Sequence, residues 1–403
     1  MRTSSSLRRL DAALAAHPAP LAAVDLDALD ANARFLVEAA GGFPIRLASK
    51  SIRCTALIRH VLDNNPGFAG VLAFTPAEAL HLAEHGIDDI LVAYPSVDTA
   101  ALAKVAASSA TIRLLVDDPA HVELIGAAAA SVGAVVPVCL EVDLGWWPLG
   151  GTVAKIGPKR SPVREPRQAA ELAELVCRTD GVRLTSMLGY EGHIAGVGDI
   201  VPGRPLRQLA VRLMQAASMK EIAQRFPAVI AAVQSTLAAH GEPPLELING
   251  GGTGSLQRTS AVGAVTELAA GSGLFDPRLF DNYRSLQLEP ACAFAMPVVR
   301  KPMPSMATLL GGGYIASGIP GADRVPTPAL PAGLRFDKEE GAGEVQTPLH
   351  GDAAARLQIG DRVWLRHAKS GELFERFNQV HLVRGGDVID AVPTYRGEGQ
   401  CFL

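Results

Sequence analysis

The sequence predicts a (β/α)8 barrel of the TIM type followed by a C-terminal antiparallel β domain, and three observations predict it. Eight short apolar runs alternate with helical patterns between residues 45 and 274. Such alternation marks βαβ units around a parallel sheet, and eight repeats in roughly 230 residues is the arithmetic of a barrel. After residue 286 the texture changes: prolines cluster at Pro290, Pro297, Pro302 and Pro304 and again from Pro320 to Pro331, and helical periodicity stops. The composition agrees, with 48% hydrophobic residues, mostly Ala, Val and Leu, and only 5% aromatics. That balance suits Ala-rich helices packed on buried parallel strands.

Taken in order, the barrel strands are predicted at residues 45–49, 70–74, 89–93, 112–116, 136–143, 184–188, 245–249 and 265–269. The helices between them are predicted at 54–63, 76–85, 99–108, 119–130, 167–179 and 207–240. An earlier apolar run, 21–26, falls outside the eight and leads into Asp27, read as the N-cap of a helix over 28–40. Alternating runs at 362–367, 374–383 and 388–392 read as strands of the β domain, which the run at 21–26 is expected to join. The division is therefore an N-terminal segment 1–26 joining the β domain, a barrel 27–285 and a β domain 286–403. A doubly wound open sheet is the runner-up, but no G-x-G-x-x-G follows the first strand.

Several function classes are excluded early. A formal net charge of −4 offers no electrostatic footprint for nucleic acid or an anionic membrane. The five cysteines, Cys54, Cys139, Cys177, Cys292 and Cys401, are scattered and odd in number, so a reducing, cytoplasmic setting is expected. Residues 1–20 carry Arg2, Arg8 and Arg9 without an apolar core, so no signal peptide is expected. The uncharged run 124–140 contains Gly126, Gly133 and Pro137 and reads as a helix tail followed by a buried strand rather than a membrane span.

Barrel enzymes place their chemistry at the C-terminal ends of the strands. Lys50 follows the first strand, Glu141-Val-Asp-Leu-Gly-Trp-Trp147 ends the fifth, and Gly189-Tyr-Glu-Gly-His193 ends the sixth. Asn249-Gly-Gly-Gly-Thr-Gly-Ser255 and Ala270-Gly-Ser-Gly-Leu274 follow the seventh and eighth, where barrels most often bind phosphate. Clustered amides beside a hydroxyl satisfy phosphate oxygens, although a triple glycine also serves as a plain tight turn. A lysine at the mouth is ordinarily a solvated charge, but one with lowered pKa becomes a nucleophile, and Arg46 and Arg53 stand near Lys50 in sequence. Phosphate plus a reactive lysine admits two chemistries: a cofactor-free Schiff-base aldolase, or pyridoxal phosphate bound covalently.

These residues resemble fold-type III pyridoxal-phosphate enzymes, the alanine racemase-like class, and within it the D-threonine aldolase and D-serine dehydratase group. The likeness rests on Ala23–Asn32, Leu47-Ala-Ser-Lys-Ser51, the motifs ending at His193, Gly254 and Gly273, and Ile359-Gly-Asp-Arg-Val363 followed by His367. The resemblance implies that Lys50 is the Schiff-base lysine. It implies that Gly251, Gly252, Thr253, Gly271 and Ser272 hold the cofactor phosphate, with Tyr190 and His193 beside the ring and substrate. Tyr283 or Asp281 would line the site. It also implies a homodimer and a divalent metal (Mn, Mg or Zn) held by a His-x-Asp or His-x-Cys pair. This chain reads His367-Ala-Lys369 there, so His367 is left without its usual second ligand. A protonated lysine cannot ligate a metal, and the expectation is that Lys369 replaces the ion electrostatically near the substrate's β-oxygen.

The expected reaction is retro-aldol cleavage of a small D-configured β-hydroxy amino acid such as a D-threonine-like substrate, with His193 or His367 as the base. A D-serine-type dehydratase is the alternative. A racemase is a second, for which Tyr314 and Tyr395 are the available acid/base residues. Trp146, Trp147 and Phe275 are expected to form an apolar wall near the mouth.

Overall fold

The computed structural model describes residues 5–319 and 321–403; Arg2 and Pro320, named above, lie outside them. The first strand, β1 (Leu21–Asp25), stands apart from the barrel. Eight parallel strands then close on themselves: β2 (Ile45–Ala48), β3 (Phe68–Ala73), β4 (Asp89–Val92), β5 (Thr111–Val116), β6 (Val136–Asp143), β7 (Val182–Tyr190), β8 (Leu247–Gly250) and β9 (Glu267–Ala270). β9 returns to pair with β2, Arg46 opposite Ala269. Strands of this kind are buried on both faces, which explains their near-continuous Val, Ile, Leu and Ala content. The uncharged run resolves as the end of helix Pro119–Ala130 and the start of β6, and no helix among the described residues is long and apolar enough to cross a membrane.

The helices begin where the chain supplies a cap. Thr75 accepts from the Glu78 amide, Asp98 from Ala101 and Asp118 from Ala120. Pro76 and Pro119 occupy first-turn positions whose amides need no partner. The expected cap at Asp27 is corrected. The helix runs Leu26–Ala39, and Asp25 caps it by accepting from the amides of Asp27 and Ala28. Asp25 is thus both the last residue of β1 and the cap. Its second carboxylate oxygen takes Arg9, which compensates the buried charge.

The remaining strands are β10 (Cys292–Arg300), β11 (Met306–Leu310), β12 (Thr327–Leu330), β13 (Arg335–Phe336), β14 (Gln346–His350), β15 (Arg362–Arg366), β16 (Gln379–Arg384) and β17 (Asp387–Pro393). They form a mostly antiparallel sheet in which β1 lies between β10, antiparallel, and β16, parallel. The expected strand over 374–383 is only half present. A single helical turn, Glu372–Glu375, replaces its first part and only the second part becomes β16. Gly371 starts that turn at φ +91°, a conformation that breaks strand pairing.

Arg46 does not neighbour Lys50 in space. Its guanidinium is buried within the lower barrel, 2.6 Å and 2.9 Å from the two carboxylate oxygens of Glu267 and 3.0 Å from Asp89. Asn249 donates to the same Glu267 at 2.6 Å. A buried pair of this sort is costly to break from one side only. Arg46→Met therefore costs about 3–5 kcal/mol of stability, while Arg46→Met with Glu267→Gln recovers most of it. Chemical denaturation of the two variants against the parent checks this, and equal losses would refute it.

Candidate active site

Lys50 lies in the one-turn helix Ser49–Ser51 that ends β2, at the wall of a cavity of about 430 Å³ in the barrel mouth. Its Nζ is 2.6 Å from the Tyr94 hydroxyl and 5.1 Å from the centre of that ring. Tyr190, Gly251, Gly252, Thr253, Gly271, Ser272 and Lys369 line the same cavity. Tertiary structure thus gathers residues spread over more than three hundred positions of chain.

The two loops after β8 and β9 are held by a fixed set of polar contacts. The buried Glu191 carboxylate accepts from the Ser255 hydroxyl at 2.5 Å, from the Thr259 hydroxyl and from the Gly251 amide. The Thr253 hydroxyl accepts from the Gly273 amide, linking the loops, and the Ser51 and Ser272 hydroxyls meet at 2.8 Å. A Cβ at Gly271 would lie 2.5 Å from the Ala48 carbonyl oxygen, so only glycine lets this loop close on β2. The amides of Thr253 and Gly254 have no partner among the described residues. Free amides beside the Thr253 and Ser272 hydroxyls are donors of the kind that can hold an anion.

The segment after β15 closes the mouth from the β domain. Ser370 donates to the Ser272 carbonyl at 2.9 Å, and Glu375 pairs with Arg53 at 2.8 Å. Gly371 packs so tightly on the Lys50 carbonyl that any side chain there would collide with it. Lys369 Nζ reaches the Ser317 hydroxyl at 2.8 Å and Glu372 at 3.2 Å, at the border with a second cavity of about 310 Å³. Burial raises Glu372, but donation from Ser317 and the Lys369 charge outweigh it and hold this carboxyl below its ordinary range.

Other expected residues are placed elsewhere. His193 is not on the cavity wall. It is buried with Nε2 2.6 Å from the Ser218 hydroxyl and Nδ1 unpartnered, and burial pushes its pKa down to about 4. His367 lines the second cavity, and neither ring nitrogen meets a partner at good hydrogen-bond geometry; burial pushes it down to about 3. Tyr283 turns away to donate to the Ala195 carbonyl, and Asp281 pairs with Arg366. Phe275 packs against Phe374 and His367, and Trp147 lies under Lys155 and Arg164, so neither forms the expected apolar wall. Trp146 pairs with Ile156 away from the cavity. Tyr395 donates to Glu78 and Tyr314 packs between Phe294 and Phe377.

The sequence reading missed Tyr94 and Arg160. Tyr94 follows Ala93 at the end of β4, a strand-end position that could have flagged it. Arg160 comes from the irregular segment 152–165, where no periodicity points inward. Its guanidinium sits 5.3 Å from the ring centres of both Tyr94 and Tyr190. Glu141 also lines the cavity, and burial together with Asp117 pushes it up to about 7.

Behind Lys50, Glu78 accepts from the Phe74 amide and the Tyr395 hydroxyl, fully buried, and burial pushes it up to about 7. A carboxyl raised in the folded state stabilises the fold below its unfolded pKa and loses that contribution as pH rises towards 7. Stability relative to Glu78→Gln should therefore fall by about 3 kcal/mol between roughly pH 4.5 and pH 7. Denaturation midpoints of both proteins across that range check the sign; a parallel pair of curves would refute it.

The comparisons with known proteins agree with this geometry. Residues 24–246 match the family model of the alanine racemase N-terminal domain. The chain is 26% identical over 263 residues to a 3-hydroxy-D-aspartate aldolase of Paracoccus denitrificans (strain Pd 1222), and 26% identical over 260 residues to a D-threonine aldolase of Arthrobacter sp. Each match takes in 64% of this chain, and the chain spans only about 60% of the length of these curated relatives. Among solved structures, D-threonine aldolase from Filomicrobium marinum superposes with a TM-score of 0.76 at 23% identity, covering 94% of this chain and 95% of that one. D-threo-3-hydroxyaspartate dehydratase from Delftia sp. HT23 superposes at 0.69 with 18% identity, over 93% and 97%. At these identities the superpositions show the shared fold, and the fold, the matched residues and the position of Lys50 lead to one conclusion: the chain belongs to the alanine racemase N-terminal domain family.

Proposed function

We propose that this chain is a pyridoxal-phosphate-dependent lyase that cleaves a small D-configured β-hydroxy amino acid in the retro-aldol sense. The observation that carries the reading is Lys50, placed at the end of the first barrel strand and sharing one cavity with Thr253 and Ser272. The residues fit this cofactor: a primary amine for covalent attachment, and the unpartnered Thr253 amide with the Thr253 and Ser272 hydroxyls for its phosphate. When bound, the cofactor supplies an electron sink for charge developing on the substrate. Sequence relatives named as D-amino-acid aldolases support the reaction class.

The chain's own residues account for binding and charge. Glu191 holds the loop after β8 in shape through Ser255, Thr259 and the Gly251 amide. Ser370 fastens the closing segment to the Ser272 loop. Arg160 lies over Tyr94 and Tyr190 and brings a permanent positive charge to the cavity. The residues do not fit a divalent ion. Among the described residues no three His, Cys, Asp or Glu side chains converge, and the partner expected of His367 is a lysine. Lys369 lines the cavity with its ammonium steered by Ser317 and Glu372, and it supplies positive charge for the substrate's β-oxygen. This reading includes a cytoplasmic homodimer: the five thiols remain unpaired, and the dimer rests on the family resemblance.

The test uses purified protein with added pyridoxal phosphate and D- and L-threonine, serine and alanine. We expect absorbance near about 420 nm that is lost in Lys50→Ala, and glycine plus an aldehyde from the D-β-hydroxy substrate. Ammonia plus a keto acid would assign a dehydratase, inversion alone a racemase, and no absorbance would overturn the cofactor. Lys369→Met should lower kcat at least about tenfold, with activity of the parent insensitive to chelators. Chelator-sensitive activity or stoichiometric Mn²⁺ or Zn²⁺ would overturn the role given to Lys369.

A further inference from the structure

Tyr94 is the group that the expected chemistry leaves unused and the structure places at its centre. Its hydroxyl is the hydrogen-bond partner of Lys50 Nζ, at 2.6 Å, and both side chains line the main cavity. The two histidines expected to act as bases do not line this cavity. A lysine that is to be displaced by a substrate amine faces a proton problem. The substrate arrives as an ammonium and must shed a proton before its nitrogen can attack, while the departing lysine must gain one. A group within hydrogen-bond reach of the departing nitrogen, able to hold and return that proton, meets both needs.

We propose that the Tyr94 hydroxyl is the acid–base group that carries the proton from the incoming substrate amine to Lys50 Nζ. The proposal rests on the reading of Lys50 given above and adds a catalytic residue to it. In the forward direction the Tyr94 oxygen, once deprotonated, takes a proton from the substrate ammonium; that N–H bond breaks and an O–H bond forms. The O–H bond then breaks as Lys50 leaves, an N–H bond forms on Nζ, and Tyr94 returns to the phenolate. The substrate nitrogen gives up two protons in all: Tyr94 carries one to Nζ, the second passes directly from the substrate nitrogen to Nζ as the two nitrogens exchange, and nothing is oxidised or reduced.

The surroundings of the hydroxyl favour this cycle. Lys50 faces it from the turn after β2 and Arg160 from segment 152–165, with Glu141 of β6 as the opposing charge and the Tyr190 ring of β7 also 5.3 Å from Arg160. Burial alone would raise the phenol, but the Lys50 and Arg160 cations outweigh burial and hold it below its ordinary value. The other four tyrosines move the opposite way: burial raises Tyr190, Tyr283, Tyr314 and Tyr395. Of the five phenols, Tyr94 is the one whose neighbours favour its anion.

The experiment separates this proposal from the cofactor reading. In the full chain stripped of cofactor, near-ultraviolet phenolate absorbance is titrated for the parent, Tyr94→Phe and Lys50→Met, with circular dichroism to show that each is folded. We expect a single early phenolate in the parent, absent from Tyr94→Phe and shifted to higher pH in Lys50→Met. With cofactor and a cleaved D-β-hydroxy substrate, Tyr94→Phe should lose about 100-fold in kcat with KM within a few-fold of the parent. An early phenolate that survives in Tyr94→Phe, or a kcat and pH profile equal to the parent's, would overturn the proposal. Protein that binds no cofactor yet keeps the early phenolate would overturn the cofactor reading instead, leaving the Lys50–Tyr94 pairing intact.

Discussion

The packing of Gly371 on the carbonyl of Lys50 is the contact on which the site depends. It brings a segment of the β domain to the end of the first barrel strand, with no room for a side chain between them. Three consequences follow within a few residues. Ser370 reaches the Ser272 loop, Glu375 reaches Arg53, and Lys369 is delivered to the cavity wall. The cavity is thus built jointly by the barrel and the β sheet. The sheet is itself anchored to the barrel by β1, whose last residue caps the first barrel helix.

That joint construction explains what the sequence did and did not disclose. The barrel strands are legible because burial on both faces forces continuous apolar runs, and the eight runs fall where β2 to β9 lie. Lys50, Thr253 and Ser272 are legible because strand ends in a barrel all point to one mouth. Arg160 is not, since it enters the cavity from an irregular segment whose course depends on contacts such as Arg164 with Glu221 and the Gly145 carbonyl. His193 and His367 lie off the main cavity for a related reason: strand-end position says which face of the barrel a residue is near, but not where the next turn sends its side chain. His193 begins a new helical turn and swings to Ser218. The turn Glu372–Glu375 was hidden because alternation of apolar residues cannot reveal a glycine that must take φ +91° against another element.

The electrostatics of the mouth follow from which charges are already answered. Arg53 is paired with Glu375, and Lys369 with Glu372, so neither brings a wholly unmatched charge into the cavity. Arg46 is committed to Glu267 in the lower barrel. Arg160 acts on Glu141, a carboxyl that burial and Asp117 push towards its neutral form, and Lys50 meets the Tyr94 hydroxyl. The remaining positive potential is concentrated around two aromatic rings, Tyr94 and Tyr190, which flank Arg160. An anion entering the mouth finds its counter-charge there and among the donors of the loops after β8 and β9, all lining one cavity with Lys50. The same concentration of charge makes one phenol unlike the other four. A hydroxyl 2.6 Å from an amine and beside a guanidinium is stabilised as its anion, whereas the hydroxyls of Tyr283 and Tyr395, bonded to a carbonyl and a carboxylate, are stabilised as neutral donors.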